Sequence, residues 1–256
     1  MTTFDEIQIS KAITNAYHRK LLDSMVSDVL IAGAGPSGMM AGFCLAGQGL
    51  KVTLVERHLS CGGGIWGGGM AMNEVTVQDE ALPILQEIGV RHEHKQEGLR
   101  TIDAVELASG LCFKAVQAGV VILNLTMVED VCVRAGRVTG AVVNRTKVSE
   151  ALPIDPIMFS AKAVLDATGH DAAVVETVRK RGLLRDLPGV VSTGEGPMDP
   201  TSGEAFVVER AGEVYPGLWV SGMSVCATYG GPRMGPIFGG MLLSGKRVAE
   251  LIAGAL

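Results

Sequence analysis

Two stretches of the chain carry residues whose types and spacing could do chemistry. The first is LPIDPIMFSAKAVLDATGHD, residues 152–171. Its AVLDATG portion has the apolar run and closing glycine of a strand that ends beside a dinucleotide. That strand runs straight into His170 and Asp171, while upstream Asp155 is held between Pro153 and Pro156. An acid and an imidazole flanking such a strand raise the question of a metal site beside the dinucleotide. Each residue also has a plain structural reading: Asp155 as a turn aspartate before Pro156, His170 as a helix-start or core histidine.

The second stretch is SDVLIAGAGPSGMMAGFCLAGQGLKVTLVER, residues 27–57. It reads as strand 29–32, glycine turn 33–38, helix 39–46 and strand 52–55. A GxGxxG string alone is weak, but here it follows an apolar strand, opens a helix and precedes an acid, Glu56, by about twenty residues. Gly33 permits the tight turn, Gly35 lets the backbone approach a pyrophosphate, and Gly38 allows close packing of helix on sheet. The helix N-terminus then stabilises the phosphates, and Glu56 can accept hydrogen bonds from an adenosine ribose. The motif does not distinguish FAD from NAD.

The surrounding elements must hold these residues in place. Residues 58–74, HLSCGGGIWGGGMAMNE, contain six glycines around Ile65 and Trp66. So glycine-rich a segment is expected to lack packing of its own and to wrap a ligand instead. From 78 to 118 the pattern is helical, interrupted by a strand near GVRHEHKQEG. Residues 120–146 read as successive strands with a tight turn at Ala135-Gly136. AKAVLDATG returns the chain to the central sheet, 171–182 form a helix, and FVVER and GLWVSGM supply further strands. RMGPIFGGMLLSGKRVAELIAGAL closes the chain as a helix whose start points back at the ligand. At the other end, Ile9, Ile13, Ala16, Tyr17 and Leu21 recur at helical spacing, predicting an amphipathic helix over 5–24 that lies on the body of the protein. The expectation is one α/β domain spanning 1–256, Rossmann-like and of the two-dinucleotide-binding flavoprotein type, with an inserted antiparallel strand region at about 119–160.

Composition narrows the function classes. With 256 residues and 47% hydrophobic content, the chain can bury a sizeable core. A net charge of −5 and a pI near 5.6 leave no basic footprint, which argues against nucleic acid as a partner. The 34 glycines cluster rather than recur at every third position, so collagen is excluded. Five scattered cysteines, Cys44, Cys61, Cys112, Cys132 and Cys226, form no CxxC pair and favour reduced thiols in a cytoplasm. The N-terminus has charges mixed through it and lacks a signal peptide's apolar core. Apolar runs elsewhere are broken well short of a membrane span.

GAGPSG, ERHLSCGGGIWGGGM, DATGHD and GGPRMGPIFGGMLLSGKRVAE, in this order and spacing, resemble the thiamine thiazole synthase family from about residue 20 to the C-terminus. The glycine loop and the RMGP-containing tail are far more specific than the nucleotide turn. The resemblance implies an enzyme of thiamine biosynthesis that consumes NAD as a substrate, condenses it with glycine, adds sulfur and forms an adenylated thiazole carboxylate, with Fe(II) assisting sulfur transfer. It implies nucleotide contacts at Ser37, Glu56, Arg57, Gly64, Val128 and Met223. Arg233 corresponds to the arginine that pairs with the glycine carboxylate, a task suited to its planar fork. Asp155 and His170 match the family's catalytic iron ligands, Asp155 reaching in from a neighbouring subunit of a homo-oligomer, an octamer in the family. At the position two before this aspartate, eukaryotic members carry a cysteine that gives up its sulfur, and many archaeal and bacterial members carry histidine. Here it is Pro153, which has no sulfur to give, so free sulfide and multiple turnovers are expected. Two other classes compete: an FAD-dependent oxidoreductase, favoured by GAGPSG, Glu56 and DATG, and a non-catalytic dinucleotide-binding protein.

Overall fold

The structure, a computed structural model, describes residues 4–146, 155–184, 189–190 and 194–256. Helix α1 (Glu6–Ser24) leads into strand β1 (Val26–Ala32), helix α2 (Pro36–Gly47) and strand β2 (Val52–Glu56). A short 3-10 turn, Gly63–Gly67, precedes β3 (Glu74–Gln78), α3 (Leu82–Ile88), β4 (Glu93–Gln96), β5 (Leu99–Asp103) and α4 (Ala104–Ala118). Then come β6 (Val121–Asn124), β7 (Thr126–Arg134), β8 (Arg137–Arg145), β9 (Ile157–Asp166) and α5 (Ala173–Lys180). The chain finishes through β10 (Gly196–Met198), α6 (Pro200–Glu209), β11 (Gly212–Tyr215), β12 (Leu218–Val220), α7 (Met223–Tyr229), β13 (Pro232–Arg233) and α8 (Gly239–Ala255).

The central sheet runs β11-β12-β9-β1-β2-β6. β1 pairs in parallel with β2 on one edge and with β9 on the other. β6 extends the parallel set beyond β2, and β12 extends it beyond β9. Successive strands thus leave β1 in opposite directions, which opens a crevice at its carboxyl end, where nucleotides bind in such sheets. Strands buried on both faces read as continuous apolar runs, and Val29, Leu30 and Ile31 are fully buried. α2 is buried almost throughout because it is packed between the sheet, α4 and α8. The antiparallel insertion is the hairpin β7–β8, turned at Ala135 and Gly136, both at positive φ. β8 continues onto the first residues of β9, so one edge of β9 serves β8 at Ile157–Ser160 and β12 at Val164–Asp166.

Three expectations are corrected. FVVER is not a strand but the end of α6, which Asp199 caps through its carboxylate and Pro200 starts at the first helical position. Val207 is fully buried in the core, so packing overrides the β-preference of the valines. α1 forms as predicted, yet Ile9 and Ile13 are 48% and 65% exposed, and only Tyr17 and Leu21 of that stripe pack on the core. The apolar spacing marks the helix without placing its first half on this chain's body. Finally, the glycine loop does pack itself: Ile65 is fully buried, and Trp66 folds back over Gly62 with its indole N–H donating to the Cys61 carbonyl. Among the described residues, no helix is long and apolar enough to cross a membrane.

Candidate functional site

Because β1, β2, β9 and β12 are parallel and in register, their carboxyl ends meet. Ala32 sits level with both Val55 and Asp166, and Asp166 with Val220. The segments leaving these strands line one cleft of about 610 Å3: the glycine turn after β1, Glu56 and Arg57 at the end of β2, and Thr168–Asp171 after β9. Met223, which opens α7 beyond β12, joins them.

Glycines of the nucleotide turn divide the work. A Cβ on Gly33 would stand 2.4 Å from the Ala167 carbonyl oxygen, and one on Gly38 would stand 2.0 Å from the Gly33 oxygen. Both positions are closed by backbone, and Gly33 also has φ +101°. Gly35 differs: a Cβ there meets no protein atom within 4 Å and would enter the cleft. That space is what a pyrophosphate approaching the N-terminus of α2 requires. Ser37 sits in the first turn of the same helix and also lines the cleft.

Glu56 is buried, with Oε2 accepting from the Ala34 backbone N–H at 2.8 Å. Its Oε1 takes the His58 backbone N–H at 2.8 Å and lies 2.9 Å from the His58 ring Nδ1. Oε2, with one partner, keeps a second lone pair for a ribose hydroxyl. Arg57 is paired to Asp171 at 2.9 Å, joining the end of β2 to the turn that carries His170. Gly64 and Val128 line the cleft as well.

The turn after β9 is anchored by the first residue of the DATG motif, to which sequence alone assigns no role. Asp166 is fully buried, and its Oδ2 accepts from the N–H groups of Val174 and Val175, capping α5. Its Oδ1 accepts from the Thr168 backbone and hydroxyl and from the Ser224 hydroxyl. Ser224 in turn accepts from the Gly169 N–H at 3.0 Å, so the loop is tied down one residue before His170.

His170 and Arg233 both line the cleft. They are linked through Glu195, which the sequence motifs leave unmarked. Glu195 oxygens lie 2.7 and 2.9 Å from His170 Nδ1, and one lies 3.6 Å from Arg233 Nε. Pairing of β10 with β13 sets Met198 opposite Arg233, which brings Glu195, just before β10, to the arginine. Periodicity gives no sign of it either. Asp155 is placed elsewhere: it is exposed and precedes β9 at the end opposite the cleft. At ~3.3 Å per residue, β9 separates it from the His170 turn by roughly 30 Å. One subunit therefore does not unite Asp155 with His170, and among its described residues no three His, Cys, Asp or Glu groups gather to hold a metal. The donor chemistry still fits a ferrous ion at His170, because the carboxylate on Nδ1 leaves Nε2 as the ligating nitrogen. Pro153 lies outside the described residues.

Neither thiol near the site is activated. Cys226 is fully buried, its Sγ 3.1 Å from the Pro232 carbonyl oxygen. Burial, reinforced by the Glu195 charge, pushes its pKa up to about 12. Cys61 is likewise pushed up to about 12, chiefly by burial and then by the adjacent Cys112.

The sheet order, the glycine turn at its switch point and the antiparallel insertion define a Rossmann-like, two-dinucleotide-binding α/β protein of flavoprotein type. The Thi4 family model matches residues 10–238. The thiamine thiazole synthase of Methanothermobacter thermautotrophicus is 52% identical over 250 residues, 97% of each chain. That of Pyrococcus horikoshii is 49% identical, covering 96% of each. The crystal structure of Thermovibrio ammonificans THI4 superposes with a TM-score of 0.95 at 45% identity, covering 99% of both chains. This chain belongs to the Thi4 family.

Proposed function

We propose that this protein is a sulfide-dependent thiamine thiazole synthase, converting NAD, glycine and free sulfide to an adenylated thiazole carboxylate, ADP-5-ethyl-4-methylthiazole-2-carboxylate, with release of nicotinamide. The observation that carries this reading is a single cleft lined by the glycine turn, Glu56, the His170 imidazole and the half-exposed Arg233 guanidinium.

The chain's own residues do the binding and orienting. The N–H groups at the start of α2 hold the pyrophosphate, Glu56 accepts ribose hydroxyls, and Ser37, Arg57, Gly64, Val128 and Met223 frame the nucleotide. Arg233 receives the glycine carboxylate through its terminal amino groups. His170, with Asp155 supplied by a neighbouring subunit of a homo-oligomer, would hold Fe(II). When bound, that ion supplies a Lewis-acid centre with open positions for substrate and sulfide. Pro153 stands where other members carry the sulfur-donating cysteine, so sulfur comes from solution and turnover repeats.

The test is anaerobic incubation with Fe(II), NAD, glycine and sulfide, followed by mass spectrometry of the released small molecules. Nicotinamide and the adenylated thiazole carboxylate, in excess over subunits, are the expected products. Release of FAD on denaturation, or NAD recovered intact from the complete mixture, would overturn the proposal.

A further inference from the structure

Glu195 has none of the binding roles proposed for its neighbours, yet it sits between two of them. Its side chain is only 13% exposed, whereas those of His170 and Arg233 are 60% and 52% exposed. A nearly buried carboxylate thus faces two cleft-lining side chains that are open to solvent on their other side. It brackets Nδ1 of His170 with both oxygens, at 2.7 and 2.9 Å, and lies 3.6 Å from Nε of Arg233.

Each contact has a chemical consequence. A carboxylate on Nδ1 selects the tautomer in which that nitrogen carries the proton, so Nε2 keeps its lone pair, and the bracketing fixes the plane of the ring. Contact at Nε of Arg233 occupies the inner corner of the guanidinium and leaves its two terminal amino groups for a bidentate carboxylate. The backbone holds Glu195 at this spot: the Gly196 N–H donates to the Gly231 carbonyl at 2.8 Å and the Asp199 N–H to the Arg233 carbonyl at 3.0 Å. The carboxylate and the arginine therefore ride on one small parallel ladder.

We propose that Glu195 is a positioning residue that sets His170 for metal ligation and Arg233 for the amino-acid carboxylate at once. This rests on the proposed roles of those two residues as metal ligand and glycine anchor. Loss of Glu195 is expected to act on metal affinity and on glycine recognition together, without touching the nucleotide.

The experiment uses the assembled protein and Co(II) as a spectroscopic stand-in for Fe(II), titrated into the parent, Glu195→Ala, Glu195→Gln and His170→Ala. NAD affinity serves as the check on fold. In Glu195→Ala, Co(II) affinity should fall ~10–100-fold, as is usual when a histidine ligand loses its carboxylate partner, and the KM for glycine should rise while NAD affinity holds. Glu195→Gln keeps the side-chain volume and an acceptor for Nδ1–H, so it should fold like the parent and show a smaller loss of both. That variant carries the test if the alanine variant fails to fold. Parent-like Co(II) affinity in both Glu195 variants, with His170→Ala losing the metal, would overturn the positioning role while sparing the metal site. Undiminished Co(II) binding in His170→Ala would sink the metal reading and this proposal with it. An unchanged glycine KM in both Glu195 variants would overturn the coupling to Arg233.

Discussion

Gly35 and Gly38 lie three residues apart in one turn, yet they are glycine for different reasons. Gly38 is closed by protein, its would-be Cβ 2.0 Å from the Gly33 oxygen, whereas Gly35 faces open cleft. Gly38→Ala should therefore destabilise the fold by about 1–3 kcal/mol, the usual cost of overpacking, read as a lower urea midpoint. Gly35→Val should leave that midpoint near the parent's and abolish NAD binding, measured by calorimetry; a folded Gly35→Val protein with parental NAD affinity would contradict the assignment of the turn. The thiols give a second test at this scale. Cys61 and Cys226 both have pKa values near 12, so each is protonated at neutral pH. Burial favours the neutral thiol, and the stability this contributes is full below its ordinary value of 9 and lost as pH rises toward 12. Alkylation by iodoacetamide at Cys61, the less buried of the two, should climb about tenfold per pH unit from 8 to 10, tracking the thiolate fraction. A plateau near pH 8 would show an activated thiol instead.

At the scale of elements, buried carboxylates join segments far apart in the chain. Asp166 ties the end of β9 to α5 and α7, and thereby seats the turn bearing His170. Asp166→Ala would strand several buried donors, each costing about 1–3 kcal/mol, so a total loss above ~3 kcal/mol is expected in denaturant unfolding. Glu204 of α6 is a contrasting case. It accepts the Gly240 N–H at the start of α8, while its Oε1 and the Oε1 of Gln78 on β3 have no hydrogen-bond partner. Burial raises its pKa, against the lowering effect of the Gly240 N–H and Gln78. Its contribution to stability is thus complete below the ordinary carboxylate range and is lost as pH rises through the folded value. Glu204→Gln, which stays neutral, should be more stable than the parent at pH 8 and indistinguishable from it near pH 4. Equal thermal midpoints at pH 8 would show that the buried carboxylate carries no such penalty.

For the whole molecule, the decisive fact is that Asp155 and His170 lie at opposite ends of β9. If one metal takes both, the ligands come from different subunits. Asp155→Ala and His170→Ala proteins should each be inactive alone, yet regain activity when their subunits are mixed during assembly. Random pairing leaves about one site in four with both native ligands, so recovery toward a quarter of parental activity is expected. No recovery from mixed oligomers, verified by native mass spectrometry, would refute a shared site. Repeated turnover should also leave the intact mass of every subunit unchanged, since Pro153 has no sulfur to surrender and the nearby thiols are held protonated.

Local order was readable from the residues themselves. The strand–glycine turn–helix unit at 29–46, the hairpin turn at Ala135-Gly136 and the apolar return strand before DATG are all signalled by period and by turn chemistry acting within a few residues. The motifs of residues 33–38, 58–70 and 231–250 likewise carried the family. Features that the sequence could not show depend on contacts between distant segments. FVVER has strand-forming residues but folds as helix because Asp199, Pro200 and burial of Val207 outweigh that preference. The glycine loop looked unable to pack because no local pattern reveals that Ile65 enters the core and Trp66 covers Gly62. Glu195 carries no motif, since its meaning arises only when β10 pairs with β13 and the turn after β9 arrives beside them. Sequence by itself marked the glycine turn, Glu56, His170 and Arg233 by residue type and motif. Tertiary structure alone decided that Glu195 stands between His170 and Arg233 and that Asp155 lies at the far end of β9 from His170, because side-chain chemistry is local whereas the distances between side chains are set by the sheet.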